Sequence, residues 1–417
     1  MTMLKYLLLS FLLTVPVFST SKEEIKNQID FIISKLPAST ITGILIYNPL
    51  TEDTIYSLNH TISMIPASNT KLFTTATALS LMGGDYILST KIFSDDSVFS
   101  DGIIDGNLYI KGYGNSLFTS EDLQDMVNEI KESGIKKISG KVIGDDSYFD
   151  EVYTRDDWIT DEVANVKLPP ISALIIDNNR KITRLKRRGR YRNYYVNIDN
   201  PPLHVAQLLK KKLIEAGIEV SSNAEKGITP VDADLISEKG IELRELIQFV
   251  NKESDNFLAE CLFKTIGAVA SGEQGNAFYS TQTILTYISD NGIFAQGTAI
   301  VDGSGISRFD QITVGALTGL LEKMYFDMAN FEDFYNSLSI AGVDGTLKKR
   351  LIGTFAEDNF RGKTGTLNGV SSLSGYLTCT GGDDLIVSIF FEFRHAGANF
   401  HRDIQDDIIR ILCSLDY

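Results

Sequence analysis

Three short segments far apart in the chain constrain it more than anything else: Ser68-Asn69-Thr70-Lys71, Ser254-Asp255-Asn256 and Lys363-Thr364-Gly365. A serine with a lysine three residues on, a second serine shortly before an asparagine, and a lysine ahead of a glycine are the parts of a serine acyl-transfer site. In such a site an amine replaces histidine as the base. They can act only at one cleft, so the fold has to join early, middle and late parts of the chain.

Each piece alone is weak. Ser-x-x-Lys recurs at Ser19 to Lys22 and at Ser133 to Lys136, and Ser-x-Asn recurs at several places, Ser57 to Asn59 and Ser221 to Asn223 among them, whereas Lys-Thr-Gly does not recur. Context separates Ser68 from its decoys. Pro66 and Ala67 precede it, and Leu72, Thr75, Ala76, Leu79 and Met82 follow at helical spacing before Gly83-Gly84, which predicts a helix opening at the serine. Ser68 and Lys71 then share one face, and the helix dipole favours negative charge developing on the serine. An N-capping serine beside a solvated lysine is the competing reading.

At 417 residues, 43% of them hydrophobic, the chain can build two domains with proper cores. A formal charge of -15 argues against nucleic acid as a partner. The amino terminus has a basic start at Lys5, an apolar run from Tyr6 to Phe18 and small residues at Ser19-Thr20-Ser21. It reads as an export signal over residues 1–21, with an uncleaved anchor as the alternative. Export predicts a protein of the periplasm or cell envelope. Cys261, Cys379 and Cys413 are too few for a disulfide scaffold; buried thiols are expected, with a Cys379–Cys413 bridge as the other option. His60, His204, His395 and His401 show no ligand spacing, so no metal and no cofactor is expected.

One segment reverses the acidic background. Arg180, Lys181, Arg184, Lys186, Arg187, Arg188, Arg190 and Arg192 follow one another with no acid between them. A solvated hairpin and a surface for anionic wall polymer or lipid head groups are both open readings.

Alternating runs at residues 40–48 and 55–59 predict a hairpin ahead of the serine helix, and from about Lys91 to Pro230 short strands and Gly/Asp turns dominate. Helical patterning returns at Leu243 to Val250 and Phe257 to Ala270, which puts Ser254-Asp255-Asn256 in a connection between helices. Strand patterns at Phe360 to Leu367, Ser371 to Cys379 and Leu385 to Phe393 put Lys363-Thr364-Gly365 on a strand, and a helix closes the chain from about Asp403. Gly365 would let a substrate backbone lie against that strand.

With Gly106 to Gly114, Asn200-Pro201-Pro202-Leu203-His204, Asp302-Gly303-Ser304-Gly305-Ile306-Ser307-Arg308 and Ala341-Gly342-Val343-Asp344-Gly345-Thr346-Leu347 added to the three motifs, the chain resembles a known family. It is the D-alanyl-D-alanine carboxypeptidase/endopeptidase family of low-molecular-mass penicillin-binding proteins (class C). The likeness covers nearly all of the chain beyond the export signal, and these four signatures read as family marks rather than chemistry. It implies an α+β fold of the penicillin-binding/β-lactamase-like transpeptidase type, an antiparallel sheet with helices and a cleft between them. Residues 22–90 and 236–417 would form the serine acyl-transferase domain and residues 91–235 an inserted β-rich domain. Between Asn179 and Asn200 only the short basic stretch stands where larger members carry a further nested domain.

The resemblance implies that Ser68 attacks the bond between two terminal D-alanines of a peptidoglycan stem peptide, with Lys71 as base. An amine serves as base only when neutral, so its pKa has to fall from about 10.4 through burial and the Lys363 charge. Ser254 would relay the proton, Asn256 would hold Lys71 and the peptide amide, and Lys363, Thr364 and Thr366 would meet the terminal carboxylate. The backbone N–H groups of Ser68 and Thr366 would form the oxyanion hole. Asp145 and Arg308, with Asn368 beside them, match the family's recognition of a diaminopimelate-like side chain; structural roles for Asp145 and Arg308 are equally open. β-Lactams would acylate Ser68. The alternatives are a serine β-lactamase, an endopeptidase acting on cross-links, and an idle wall-binding protein on the same fold. Against the first, no Glu-x-x-Leu-Asn follows the second motif; Glu332 to Asn336 has the spacing but carries Tyr335 in place of leucine.

Overall fold

In the computed structural model, residues 21–96, 100–158, 168–187 and 190–415 are described. The expected export signal lies outside them, apart from Ser21, whose hydroxyl accepts from the Glu24 amide and caps the helix Lys22–Ile33. Among the described residues no helix is long and apolar enough to cross a membrane.

Alternation of apolar residues lays down a six-stranded antiparallel sheet in the order Ser339–Ile340, Arg361–Leu367, Val370–Thr378, Asp384–Glu392, Ile41–Asn48 and Asp53–Leu58. The first hairpin of the chain thus adds to the edge of the last, register running from Ile41 opposite Glu392 to Tyr47 opposite Ile386. Successive side chains point to opposite faces. Val387, Ile389 and Phe391 join Ile44 and Ile46 beneath Lys22–Ile33 and the closing helix Gly397–Leu412. Ile386 and Phe390 face the helical layer with Leu72, Phe73, Ala259, Phe263 and Leu317. Between them Ser388 satisfies its buried hydroxyl by accepting from Thr318 at 2.9 Å.

The serine helix, Thr70–Met82, runs through the middle of that layer. Every residue from Thr70 to Leu79 is buried, so the one-sided pattern of the sequence understates its burial. Its threonines solve the polar problem locally: Thr75 donates to the Lys71 carbonyl at 2.9 Å and Thr74 to that of Gly303 at 2.9 Å.

Between the first and second motifs a five-stranded sheet has the order Ala224–Lys226, Val142–Asp145, Leu108–Tyr113, Ile87–Ser94, Asp234–Glu242. Helices Ser120–Glu132 and Pro201–Glu215 cover it with a core of their own, Leu123, Met126, Ile130, Val205 and Leu209 among its members. Residues 91 and 235, where the sequence places the insertion's limits, fall inside the antiparallel pair Ile87–Ser94 and Asp234–Glu242. The basic stretch forms a separate two-stranded ribbon, Arg180–Arg187 with Arg190–Asn197. Cys261, Cys379 and Cys413 are free and buried, so the Cys379–Cys413 bridge is not formed.

Candidate active site

Ser68 stands in a single 3-10 turn, Ala67–Asn69, that runs straight into the helix Thr70–Met82. Ala67 has φ 49°, a left-handed conformation uncommon for a residue with a side chain. Ser372, on the strand beside the Lys-Thr-Gly strand, pins this turn. Its hydroxyl donates to the Pro66 carbonyl at 2.7 Å and accepts from the Asn69 amide at 2.7 Å. Gly365 lies opposite Ser372 in the register. A Cβ there would come within 2.2 Å of Ser372 Oγ, 2.7 Å of the Pro66 carbonyl and 3.0 Å of the Ser68 nitrogen. The glycine therefore makes room for the nucleophile's turn, a role the sequence did not suggest.

Lys71 Nζ lies 3.0 Å from Ser68 Oγ and donates to Asn256 Oδ1 at 2.6 Å and to the Ser304 carbonyl at 2.6 Å. Its side chain is fully buried, and burial pushes its pKa down to about 8 against the opposing pull of Asp302, Glu260, Asp255 and Asp310. Lys363 is buried too. Burial first, and the Lys71 charge second, hold it well below the ordinary lysine value. Of the two causes expected from the sequence, burial is the main one for Lys71.

The second motif leaves the helix Leu243–Lys252 through Ser254, itself at φ 57°, and enters the helix Asn256–Ser271. Asp255 caps that helix by accepting from the Leu258 amide at 2.9 Å, so it points away from the chemistry. Ser254 Oγ accepts from Lys363 Nζ at 2.7 Å, and the same amine donates to the Thr364 carbonyl at 3.1 Å. A salt bridge of 2.5 Å between Lys252 and Asp344 ties the connection to the turn before Thr346.

Ser68, Ser254, Thr364 and Thr366 open on one cleft of about 550 Å³, also lined by Thr346, Lys349, Arg350, Asn399, Arg402, Asp403 and Asp406. Beyond Gly362 the motif strand pairs with no other strand on its outer edge among the described residues, because Ser339–Ile340 pairs only with Gly362 and Arg361. Arg402, from the closing helix, donates to Thr366 Oγ1 at 2.9 Å. Nothing in the sequence marked it, since it sits among Asp403, Asp406, Asp407 and Arg410 like any solvated face. Glu332 and Asn336 do not line the cleft.

The signature Asp302 to Arg308, read from sequence as a family mark, is part of the site. Asp302 accepts from the amides of Ser304, Gly305 and Ser307 at 3.1, 2.6 and 2.8 Å, and the turn so formed presents the Ser304 carbonyl to Lys71. Glu260 accepts from the Gly303 and Ser304 amides at 3.1 and 2.8 Å; burial, with Asp302 nearby, raises its pKa to about 8.

Asp145 is held by contacts within the inserted sheet and its loops. Its buried carboxylate accepts from the amides of Ser147 at 2.8 Å and Thr229 at 2.7 Å and pairs with Lys111 at 3.1 Å. Burial alone would raise its pKa, but the hydrogen bonds from Ser147 and Thr229 outweigh it and the net shift is downward. Arg308 donates to the Asn368 carbonyl at 2.6 Å, at the turn that ends the motif strand.

An antiparallel sheet, a helical layer against it and a lysine-contacted serine at their junction define a serine peptidase of the penicillin-binding class. The chain matches the D-Ala-D-Ala carboxypeptidase 3 (S13) family over residues 25–192 and 186–415, and it belongs to that family. It is similar to a D-alanyl-D-alanine carboxypeptidase of Actinomadura sp., 26% identical over 428 residues that cover 85% of this chain and 78% of that one. The crystal structure of penicillin-binding protein 4 from Haemophilus influenzae superposes with a TM-score of 0.79 at 22% identity, covering 92% of this chain and 99% of that one. The same protein complexed with a β-lactam gives 0.76 at 21% identity, covering 94% and 100%. At such identities the structural likeness shows the fold.

Proposed function

We propose that this chain is a serine-type D-Ala-D-Ala carboxypeptidase that removes the terminal D-alanine of peptidoglycan stem peptides through an acyl-enzyme on Ser68, and that β-lactams acylate the same serine. The observation that carries this reading is the hydrogen-bond count around Lys71. A neutral amine has two N–H donors and one lone pair. Lys71 donates to Ser68 Oγ, Asn256 Oδ1 and the Ser304 carbonyl; in the neutral form the last two would take both donors, and the lone pair would face the Ser68 hydroxyl.

In the reaction so assigned, the Ser68 proton passes to Lys71 as Oγ bonds to the carbonyl carbon. The bond to the terminal D-alanine nitrogen then breaks as Ser254, held by Lys363, relays the proton from Lys71 to the departing amine, and water adds to the acyl-enzyme to release the shortened peptide and restore Ser68. Asn256 and the Ser304 carbonyl keep Lys71, the first proton acceptor, aligned. The free edge from Lys363 to Leu367 suits a peptide added as a further strand, with the Ser68 and Thr366 N–H groups as oxyanion donors. Buried and depressed in pKa, Lys363 is poorly suited to attract the terminal carboxylate. We assign that charge to Arg402, which meets Thr366 in the cleft, with the Thr364 and Thr366 hydroxyls beside it. Arg308 and Asn368 are the pair we assign to the stem-peptide side chain. Such a substrate lies outside the cytoplasm, so the chain would act in the cell envelope.

Intact-mass measurement after exposure to penicillin tests the reading. Wild type is expected to gain one penicillin mass and Ser68→Ala none. A wild type that stays unmodified where a control enzyme is labelled would sink it. With nitrocefin a single slow burst is expected; rapid turnover would make the protein a β-lactamase.

A further inference from the structure

The ribbon Arg180–Arg187 and Arg190–Asn197 is left over from the catalytic account. Among the described residues it pairs with no other strand, and an isolated two-stranded ribbon is marginal in water. Arg180, Lys181, Arg184, Lys186, Arg190 and Arg192 are all exposed, and among the described residues none of them has a carboxylate partner. Its base, by contrast, is fixed: Asn179 is buried and donates to the Pro170 carbonyl at 2.9 Å, and the Asn197 side chain donates to that of Leu168 at 3.1 Å. Arg188 lies outside the described residues.

Register sorts the side chains. Arg180, Ile182, Arg184 and Lys186 share a face with their partners Asn197, Tyr195, Asn193 and Tyr191. On that face Ile182 is 60% exposed, Tyr191 59% and Tyr195 76%. Cations and apolar groups are interleaved rather than segregated, with the Arg184 guanidinium 4.8 Å and the Lys186 amine 5.8 Å from the Tyr191 ring centre. Exposed Val196 lies on the opposite face, across from Lys181.

We propose that this ribbon docks the protein on an anionic phospholipid surface. Tyrosine rings and long cationic side chains are the groups that settle at the boundary between head groups and acyl chains, and each cation near such a surface adds attraction. A hydrated anionic glycan would attract the arginines but would gain nothing from Ile182, so the apolar part of the face favours lipid. The acidic bulk of the chain does not forbid approach. Strands of eight residues reach about 26 Å, roughly three Debye lengths at physiological salt, so the far end of the ribbon is screened from the body.

The test compares binding of the full chain to vesicles of phosphatidylglycerol mixed with phosphatidylcholine against vesicles of phosphatidylcholine alone. Reading the ratio cancels any contribution the amino-terminal apolar run makes to both. Wild type is expected to prefer the anionic vesicles by at least about tenfold. The combined variant Arg180→Gln, Arg184→Gln, Lys186→Gln, Arg190→Gln should bring the ratio close to one. The variant Ile182→Ser, Tyr191→Ser, Tyr195→Ser should lose the portion of binding that survives high salt. Penicillin labelling of both variants at the wild-type level reports that the catalytic body is folded. Equal wild-type binding to both vesicles, a ratio unchanged in the Gln variant, or ribbon-dependent retention on isolated wall sacculi in place of vesicles would overturn the proposal.

Discussion

Lys71 and Lys363 at the cleft and the cations of the ribbon are the same chemistry in opposite surroundings. The two lysines are wholly buried, each amine is held by named acceptors, and both have pKa values pulled down by desolvation. The ribbon's cations stand in water among exposed rings. Burial turns a lysine into a base and a proton carrier, whereas exposure keeps a cation as a point of attraction. The contrast teaches that the count of basic residues in a segment says little until their solvent access is known.

The comparison breaks first at the nucleophile and its base. Ser68→Ala should abolish the covalent penicillin adduct, and Lys71→Gln should slow acylation roughly 10²–10⁴-fold, both read by intact mass against time. An acylation rate that survives Lys71→Gln would show that the buried amine is not the base. The pH profile sharpens the same point. Because the unprotonated amine is the active form and Lys71 is pushed down to about 8, acylation should rise with pH through about 8 and level off above it; a flat profile across that window would remove the assignment.

Next comes Gly365→Ala. With a Cβ only 2.2 Å from Ser372 Oγ, the strand and the serine turn have to separate, at a cost of about 1–3 kcal/mol in stability and with slower acylation. Thermal unfolding and stopped-flow labelling would check the two effects. Arg402→Ala should raise KM about tenfold for a peptide with a free terminal carboxylate, with little change for the corresponding terminal amide. Equal effects on both peptides would mean the arginine only supports the fold. The smallest effect is expected from neutralising the ribbon: its Gln variant should acylate at the wild-type rate and keep its stability within about 0.5 kcal/mol.

The three motifs were legible because the chemistry fixes residue type and spacing, and the helical pattern after Ser68 put its lysine on the correct face. Backbone partners leave no such trace: the carbonyl of Ser304 could belong to any residue, and only the Asp302 turn made its segment distinctive. Ser372 and Arg402 were hidden because their roles depend on strand register and on how the closing helix docks. Asp145 kept two open readings in the sequence for a related reason. Its partner Lys111 is directly across the ladder, a neighbour invisible until the strands are paired. The helix Ser120–Glu132, by contrast, was readable. Thr119 and Asp122 form a capping box, and Leu123, Met126, Val127 and Ile130 keep helical spacing, but the surrounding strand texture drew attention away from them.

The antiparallel pair Ile87–Ser94 and Asp234–Glu242 carries the chain out to the insertion and back along one seam, rung by rung from Ile87 opposite Glu242 to Ser94 opposite Asp234. Departure and return are therefore adjacent, so the length of chain inserted between them sets no distance that the catalytic body has to span.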